Sequence, residues 1–138
     1  MIQKVRVITK IGPDLKGEGI LSDIRKILGL ETVDKVTAIK VYRLEGISTL
    51  QAKELAEQLL SESINQSYTV NKAYLQGGIT LEIGYKSGVM NPEVASIMKA
   101  AEDLGVKLTA CDSSFEYIFF GKLTKNEILK IVEKLRLY

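Results

Sequence analysis

Two loops carry the residues whose types and spacing most suggest chemistry, and each lies between a predicted strand and a predicted helix. Their residues are Lys10, Gly12 and Pro13 in the first loop and Lys86, Ser87 and Gly88 in the second. A lysine there can bind an anion, because the first backbone N–H groups of a helix have no partners within the helix. A solvated surface lysine is the simpler interpretation. The glycine-rich stretch 12–19 fits neither a phosphate-binding loop nor a dinucleotide fingerprint, and we expect its glycines to serve the backbone path.

The chain contains no histidine and one cysteine, Cys111. This excludes a zinc site of the Cys/His type and any nucleophile activated by histidine. The acids Glu45, Glu82, Asp103, Asp112 and Glu116 are scattered, and no two have a spacing that demands general acid–base catalysis. We therefore predict no catalytic residue, no metal and no cofactor. The single cysteine fits a reducing compartment, and we expect it to be buried as a small apolar residue.

The composition narrows the classes of partner that the protein could bind. The 138 residues are 46% hydrophobic and 26% charged, with a formal net charge of +2. These values are ordinary for a globular protein, and no block of five basic residues offers a surface for nucleic acid. No apolar run reaches the length of about 18 residues that a membrane span needs. We therefore expect a cytoplasmic protein that binds neither nucleic acid nor a membrane.

Hydrophobic periodicity predicts alternating strands and helices. The predicted strands are 4–9, 33–44, 68–70, 79–85 and 107–120, and the predicted helices are 16–28, 50–60, 92–104 and 126–135. Ser48 or Thr49, Asn91 and Thr124 are the expected helix caps, with Pro92 at a first helical position. Gly29 and Gly105 are the expected helix stops.

The pattern repeats at an offset of 76 residues. Lys10 and Gly12 correspond to Lys86 and Gly88, and the helix stops, caps and core positions also match. We predict a repeat over 1–71, a connector over 72–78 and a second repeat over 79–138. The second repeat lacks a counterpart of the strand 68–70, which would lie past residue 138. Either that strand is absent, or the chain is a fragment of something longer.

This pattern predicts an α/β (α+β) fold, with tandem βαβαβ repeats in one mainly antiparallel sheet and helices on one face. The opposite face would then be open to a partner. Charged and aromatic residues interrupt the apolar alternation of the two long strands and mark this candidate surface. They are Lys40, Tyr42 and Arg43 in the first half and Tyr117 and Phe119 in the second. Alternatively, these residues form the rim of the hydrophobic core.

Three stretches carry a family resemblance. The strand 36–45 reads VTAIKVYRLE, and in 53–70 a helix ending in a Leu-Leu pair leads into a short final strand. In 85–93, YKSGVMNPE, a short loop leads into an Asn-Pro helix start. These stretches resemble the PurS subunit of formylglycinamidine ribonucleotide synthase, whose small chain is a dimer of βαβαβ units and is duplicated at the N-terminus of longer synthases.

The resemblance implies a role in purine biosynthesis. A PurS-like part does no chemistry; it bridges the synthetase (PurL-like) and glutaminase (PurQ-like) parts and helps to retain the ammonia released from glutamine. The chain would then be an accessory subunit or N-terminal domain of a glutamine-dependent ligase, with self-association as a further expectation. The alternative is a tandem ACT-like regulatory module that binds a small molecule such as an amino acid. An enzyme that uses a lysine or a carboxylate is a third hypothesis, which no spacing supports.

Overall fold

The computed structural model describes residues 1–74, 77–84 and 90–135 and has an α+β fold. The strands are β1 (Ile2–Thr9), β2 (Val33–Glu45), β3 (Gln66–Val70), β4 (Ile79–Gly84) and β5 (Ala110–Gly121). The helices are α1 (Leu15–Ile27), α2 (Thr49–Leu55), α3 (Val94–Asp103) and α4 (Lys125–Leu135), and α2 continues into a π-helical turn at Ala56–Leu60. Over the described ranges, no helix has the length and apolar character needed to cross a membrane.

The strands form one antiparallel sheet in the order β3-β1-β2-β5-β4. β1 is antiparallel to both of its neighbours, and Val5 pairs with Tyr42 of β2 and with Val70 of β3. β2 and β5 also run in opposite directions, because the end of β2 meets the start of β5, where Thr109 N donates to Glu45 O at 3.0 Å. The predicted antiparallel sheet is confirmed, whereas the equivalence of the two halves as repeats stays a prediction.

The chain divides into two compact units, each made of several segments of the chain. Unit 1 comprises Met1–Gly12, Ile39–Tyr74 and Gly84–Phe115, and unit 2 comprises Pro13–Ala38, Leu75–Ile83 and Glu116–Tyr138. The physical reason is the length of β2 and β5, which span 13 and 12 residues and contribute to both units.

In unit 1, α2 and α3 pack on the same side of the sheet. Both helices contribute to one apolar core with Val5 and Val7 of β1 and Leu44 of β2. α2 begins at a capping box, in which Ser48 and Gln51 satisfy each other's backbone N–H groups, as the predicted cap requires. The other buried members of this core are Ala52, Leu55, Ala56, Leu60, Ile97, Ala101, Val106 and Leu108.

In unit 2, one carboxylate joins the start of α1 to β2. Asp14 Oδ1 accepts from Gly17 N at 3.0 Å and caps the helix, while Asp14 Oδ2 accepts from Ala38 N at 2.8 Å. Gly17 is buried beside this cap, and a Cβ added there would lie 2.3 Å from Val36 O. The glycine therefore allows the close approach of helix and strand, as predicted for this glycine-rich stretch.

Most helix boundaries agree with the sequence prediction, and α3 is the main exception. α1 ends before Gly29, which has a φ of 66°. Thr124 Oγ1 accepts from Glu127 N at 3.2 Å and caps α4. α3 begins at Val94, with Glu93 as its N-cap rather than Asn91. The physical reason is that the Asn91 side chain is engaged by β5, as described below.

We expect Gly17→Ala to destabilise the protein by about 1–3 kcal/mol, because the new methyl group overpacks the contact between α1 and β2. Gly19→Ala in the same helix is the matched control. A Cβ at position 19 has nothing within 4 Å, so this change should stabilise the helix by about 0.5–1 kcal/mol. Urea unfolding of both variants checks the pair, and equal effects would contradict the close approach at Gly17.

Candidate functional site

Lys40 and Tyr42, two of the predicted interface residues, lie in a cluster inside unit 1. Lys40 Nζ forms an ion pair with Glu93 Oε1, and its side chain is only 19% exposed. The same ammonium lies 4.6 Å from the centre of the Phe115 ring and 5.7 Å from that of Tyr42. Cation–π contacts of this kind add to the ion pair. Lys40 is thus engaged within its own chain and connects β2 to the start of α3.

Asn91 ties the segment before α3 to β5. Its buried Nδ2 donates to Asp112 Oδ1 at 3.0 Å and to Ser113 Oγ at 2.8 Å, and its Oδ1 accepts from Glu93 N at 3.0 Å. A buried amide with donors and acceptor satisfied holds a unique geometry. Asn91 therefore fixes the position of Glu93, and Glu93 in turn receives Lys40.

The environment of this cluster suppresses reactivity. Burial, aided by the negative charge of Glu93, raises the pKa of the Tyr42 phenol to about 12. Burial also raises the pKa of the Cys111 thiol, and the charges of Asp112 and Glu93 add to the effect. A reactive cysteine needs a lowered pKa, because the thiolate is the nucleophile. At neutral pH both groups are protonated, and the cluster is suited to packing and hydrogen bonding rather than to covalent catalysis.

The other face of β2 in unit 1 is also covered, which makes the predicted open sheet face wrong there. Val41 and Ile39 are 0% and 1% exposed. Arg6, which pairs with Val41, is 8% exposed and donates from Nη1 to Lys72 O at 3.0 Å. The chain after β3 therefore lies against this face. Arg43 is half-buried and donates from Nη1 to Ser114 Oγ at 3.1 Å.

Tyr117 and Phe119 were predicted as partner-interface residues, and the structure places them in the core. They are 3% and 1% exposed in unit 2. The physical reason is that both faces of this part of β5 are buried, because Ile118 on the opposite side is also 1% exposed. Phe120, the next residue of β5, is half-buried, and Lys35 Nζ lies 6.0 Å from the centre of its ring. An aromatic run in the strand thus indicates burial on both faces rather than an exposed surface.

The first predicted loop does reach the surface. Lys10 and Gly12 are exposed, and the Lys10 and Ile11 N–H groups both donate to Asn65 O, at 2.8 and 3.3 Å. The Ile11 backbone therefore lies beside Asn65, the neighbour of Ile64 in the chain, and both isoleucines are exposed, Ile11 at 61% and Ile64 at 81%. We call Lys10–Gly12 with Ile64 and Asn65 the tip of unit 1. It combines apolar side chains with one cation, a mixture common at protein interfaces.

Sequence reasoning missed Ile64 and Glu93 as site residues, whereas Asn91 was named as a helix cap. Ile64 carried a weak signal, as a lone isoleucine between polar residues in a connection.

Pro13, the other predicted residue of the first loop, lies in unit 2 and is exposed. Lys86, Ser87 and Gly88 lie outside the described residues. Among the residues that the structure describes, no three His, Cys, Asp or Glu side chains are grouped so as to hold a metal ion.

A double-mutant cycle should detect the bond between Lys40 and Glu93. We expect Lys40→Met and Glu93→Gln to show a coupling energy of about 0.5–1.5 kcal/mol, because the pair is partly shielded from water. Urea unfolding of the two single variants and the double variant gives this value. Additive effects, within about 0.3 kcal/mol, would show that the pair contributes nothing.

Tyr42 should make the protein less stable in alkali. The folded phenol has its pKa raised to about 12 from the ordinary 10.0, so the unfolded chain loses this proton first as the pH rises. Stability from the protonated phenol is complete below pH 10 and is lost between pH 10 and 12. Tyr42→Phe should therefore flatten the decline of the unfolding free energy in this range. Tyr74→Phe is the matched control, and identical slopes for Tyr42→Phe and wild type would refute the assignment.

Comparison with known proteins identifies no family for this sequence. No protein-family model and no curated protein matches its sequence.

Proposed function

We propose that the chain is a non-catalytic, PurS-like component of phosphoribosylformylglycinamidine synthase in the cytoplasm. In this role it bridges the synthetase (PurL-like) and glutaminase (PurQ-like) parts and supports the transfer of ammonia between them. It acts as an accessory subunit or domain of the ligase, without a catalytic residue, metal or cofactor of its own.

The order of strands is the single observation that carries the proposal. β2 and β5 are the central antiparallel pair, β1 and β4 lie outside them, and each of the two outer strands is joined to its central strand through one helix. This is the order that two βα-containing units produce when they join edge to edge through their longest strands. It supports a module that corresponds to a small-subunit dimer joined in one chain.

The chemistry of unit 1 agrees with a role in assembly. Tyr42 is protonated at neutral pH, Lys40 is paired with Glu93, and the pKa of the Cys111 thiol is raised. The exposed tip offers two isoleucines beside Lys10. Its apolar side chains gain free energy when a partner removes them from water, at about 25 cal/mol per Å².

The ACT-like alternative is less favoured by the sheet. A ferredoxin-like unit of that kind contains a split βαβ arrangement, in which the strands before and after a helix are parallel and not adjacent. Here the strands on either side of α1, β1 and β2, are adjacent and antiparallel. A screen of amino acids by thermal shift separates the two proposals, since only the ACT-like one expects a stabilising ligand.

Reconstitution tests the proposed function directly. The chain is added to the synthetase and glutaminase of the same organism, with either glutamine or ammonium salt as the nitrogen source. We expect it to raise the glutamine-dependent rate and to leave the ammonium-dependent rate unchanged, because bridging matters only when ammonia is made at the glutaminase. Turnover by the chain alone, or equal rates with and without it, would overturn the proposal.

The tip provides a variant for the same assay. We expect the double change Ile11→Asp with Ile64→Asp to weaken binding to the synthase parts at least tenfold, because two buried aliphatic contacts are each worth about 1 kcal/mol or more. Leu129→Asp is the matched control, since Leu129 is also exposed, at 58%, but lies on α4. Unchanged binding of the tip variant would show that the tip is not part of the interface.

A further inference from the structure

Strand β4 ends the sheet with an edge that carries a self-complementary pattern. It pairs with β5 on one side and is the last strand in the sheet order of the described residues. An edge strand presents backbone N–H and C=O groups that can pair with another chain. β1, by comparison, has neighbours on both sides.

The side chains of β4 alternate along its six residues. Ile79, Leu81 and Ile83 are half-buried, whereas Thr80 and Glu82 are exposed. Read from either end, the five residues 79–83 give the same order of apolar and polar side chains, with Leu81 at the centre. Two antiparallel copies centred on this residue would place Ile79 opposite Ile83 and Leu81 opposite Leu81, with all six apolar side chains on one face.

The charges also match in this register. Glu82 of one copy lies opposite Thr80 of the other, so the two carboxylates do not face each other directly. Like charges directly opposite in a sheet are destabilising, and this register avoids them. A two-fold axis through the Leu81 pair makes the contact isologous, so it closes at two copies and leaves no open chain of subunits.

The opposite edge of the sheet lacks this property. β3 reads Gln66, Ser67, Tyr68, Thr69 and Val70. Two antiparallel copies centred on Tyr68 would place the polar Gln66 against the apolar Val70. β3 is followed by Asn71, which has a φ of 59° and therefore turns the chain out of the strand. The self-complementary edge is β4.

We propose that two copies of this chain associate through antiparallel pairing of β4 with β4, centred on Leu81, to continue the sheet across a two-fold axis. The occupant of the edge is a second copy, because the apolar and charge patterns of β4 complement themselves. This pairing is independent of the proposed function, and either can fail without the other.

Analytical ultracentrifugation of the full chain over a range of concentrations tests the pairing. We expect wild type to be a dimer, and Thr80→Glu to weaken dimerisation by roughly threefold to thirtyfold, because the new carboxylate opposes Glu82 at two symmetric places. Thr80→Lys should strengthen the dimer by a similar factor. Both changes are at an exposed position, so the fold itself is preserved.

A register swap and an edge control complete the experiment. Thr80→Glu combined with Glu82→Thr restores the opposition of a carboxylate and a hydroxyl, and we expect it to dimerise as wild type does. Gln66→Glu adds the same charge to the β3 edge and should have no effect. A wild type that stays monomeric, or a dimer that responds equally to Thr80→Glu and Thr80→Lys, overturns the proposal. Loss of the dimer in Gln66→Glu alone would place the contact at β3.

Discussion

Burial of β2 on both faces within unit 1 is the constraint on which the arrangement of this unit depends. Ile39, Val41 and Leu44 are at most 1% exposed, yet the same stretch carries Lys40 and Arg43. A charge on such a strand is stable only if it is paired and hydrogen-bonded. Glu93 and Phe115 satisfy Lys40, and Ser114 accepts from Arg43. The start of α3 and the course of β5 are therefore fixed by the polar residues of β2 as much as by its apolar ones.

Local chemistry explains why most elements could be predicted from the sequence. Ser48 with Gln51, Thr124 with Glu127, and Gly29 act within a few residues of the helix ends that they define. The antiparallel sheet was predicted from the pairing of two repeats, and the equivalence of those repeats stays a prediction. The prediction for α3 was wrong at its start, because the amide of Asn91 is drawn to Asp112 and Ser113, which lie far along the chain. No local pattern reports a partner at that distance.

The residues of the candidate site divide in the same way, into those whose environment the local sequence predicts and those whose environment it does not. The exposure of Lys10 and Gly12 could be predicted because loops run over the protein surface. Tyr117 and Phe119 were misassigned because the apolar residues on both faces of this strand were interpreted as a partner surface, whereas both faces are buried. The π-helical turn after α2 was also unforeseen, since a shift from i−4 to i−5 hydrogen bonding depends on packing rather than on propensity. Local chemistry therefore predicted the exposure of loop residues correctly, whereas it did not predict which strand residues are buried on both faces.

The double role of Asp14 has a consequence for how the molecule opens. Its two oxygens hold the first turn of α1 and the amide of Ala38 at the same time. The helix cannot fray from its N-terminus without leaving a strand amide unpaired, and unpaired buried amides are costly. Because of this coupling, we expect the first amides of α1 to exchange their hydrogens as slowly as the amide of Ala38 in β2.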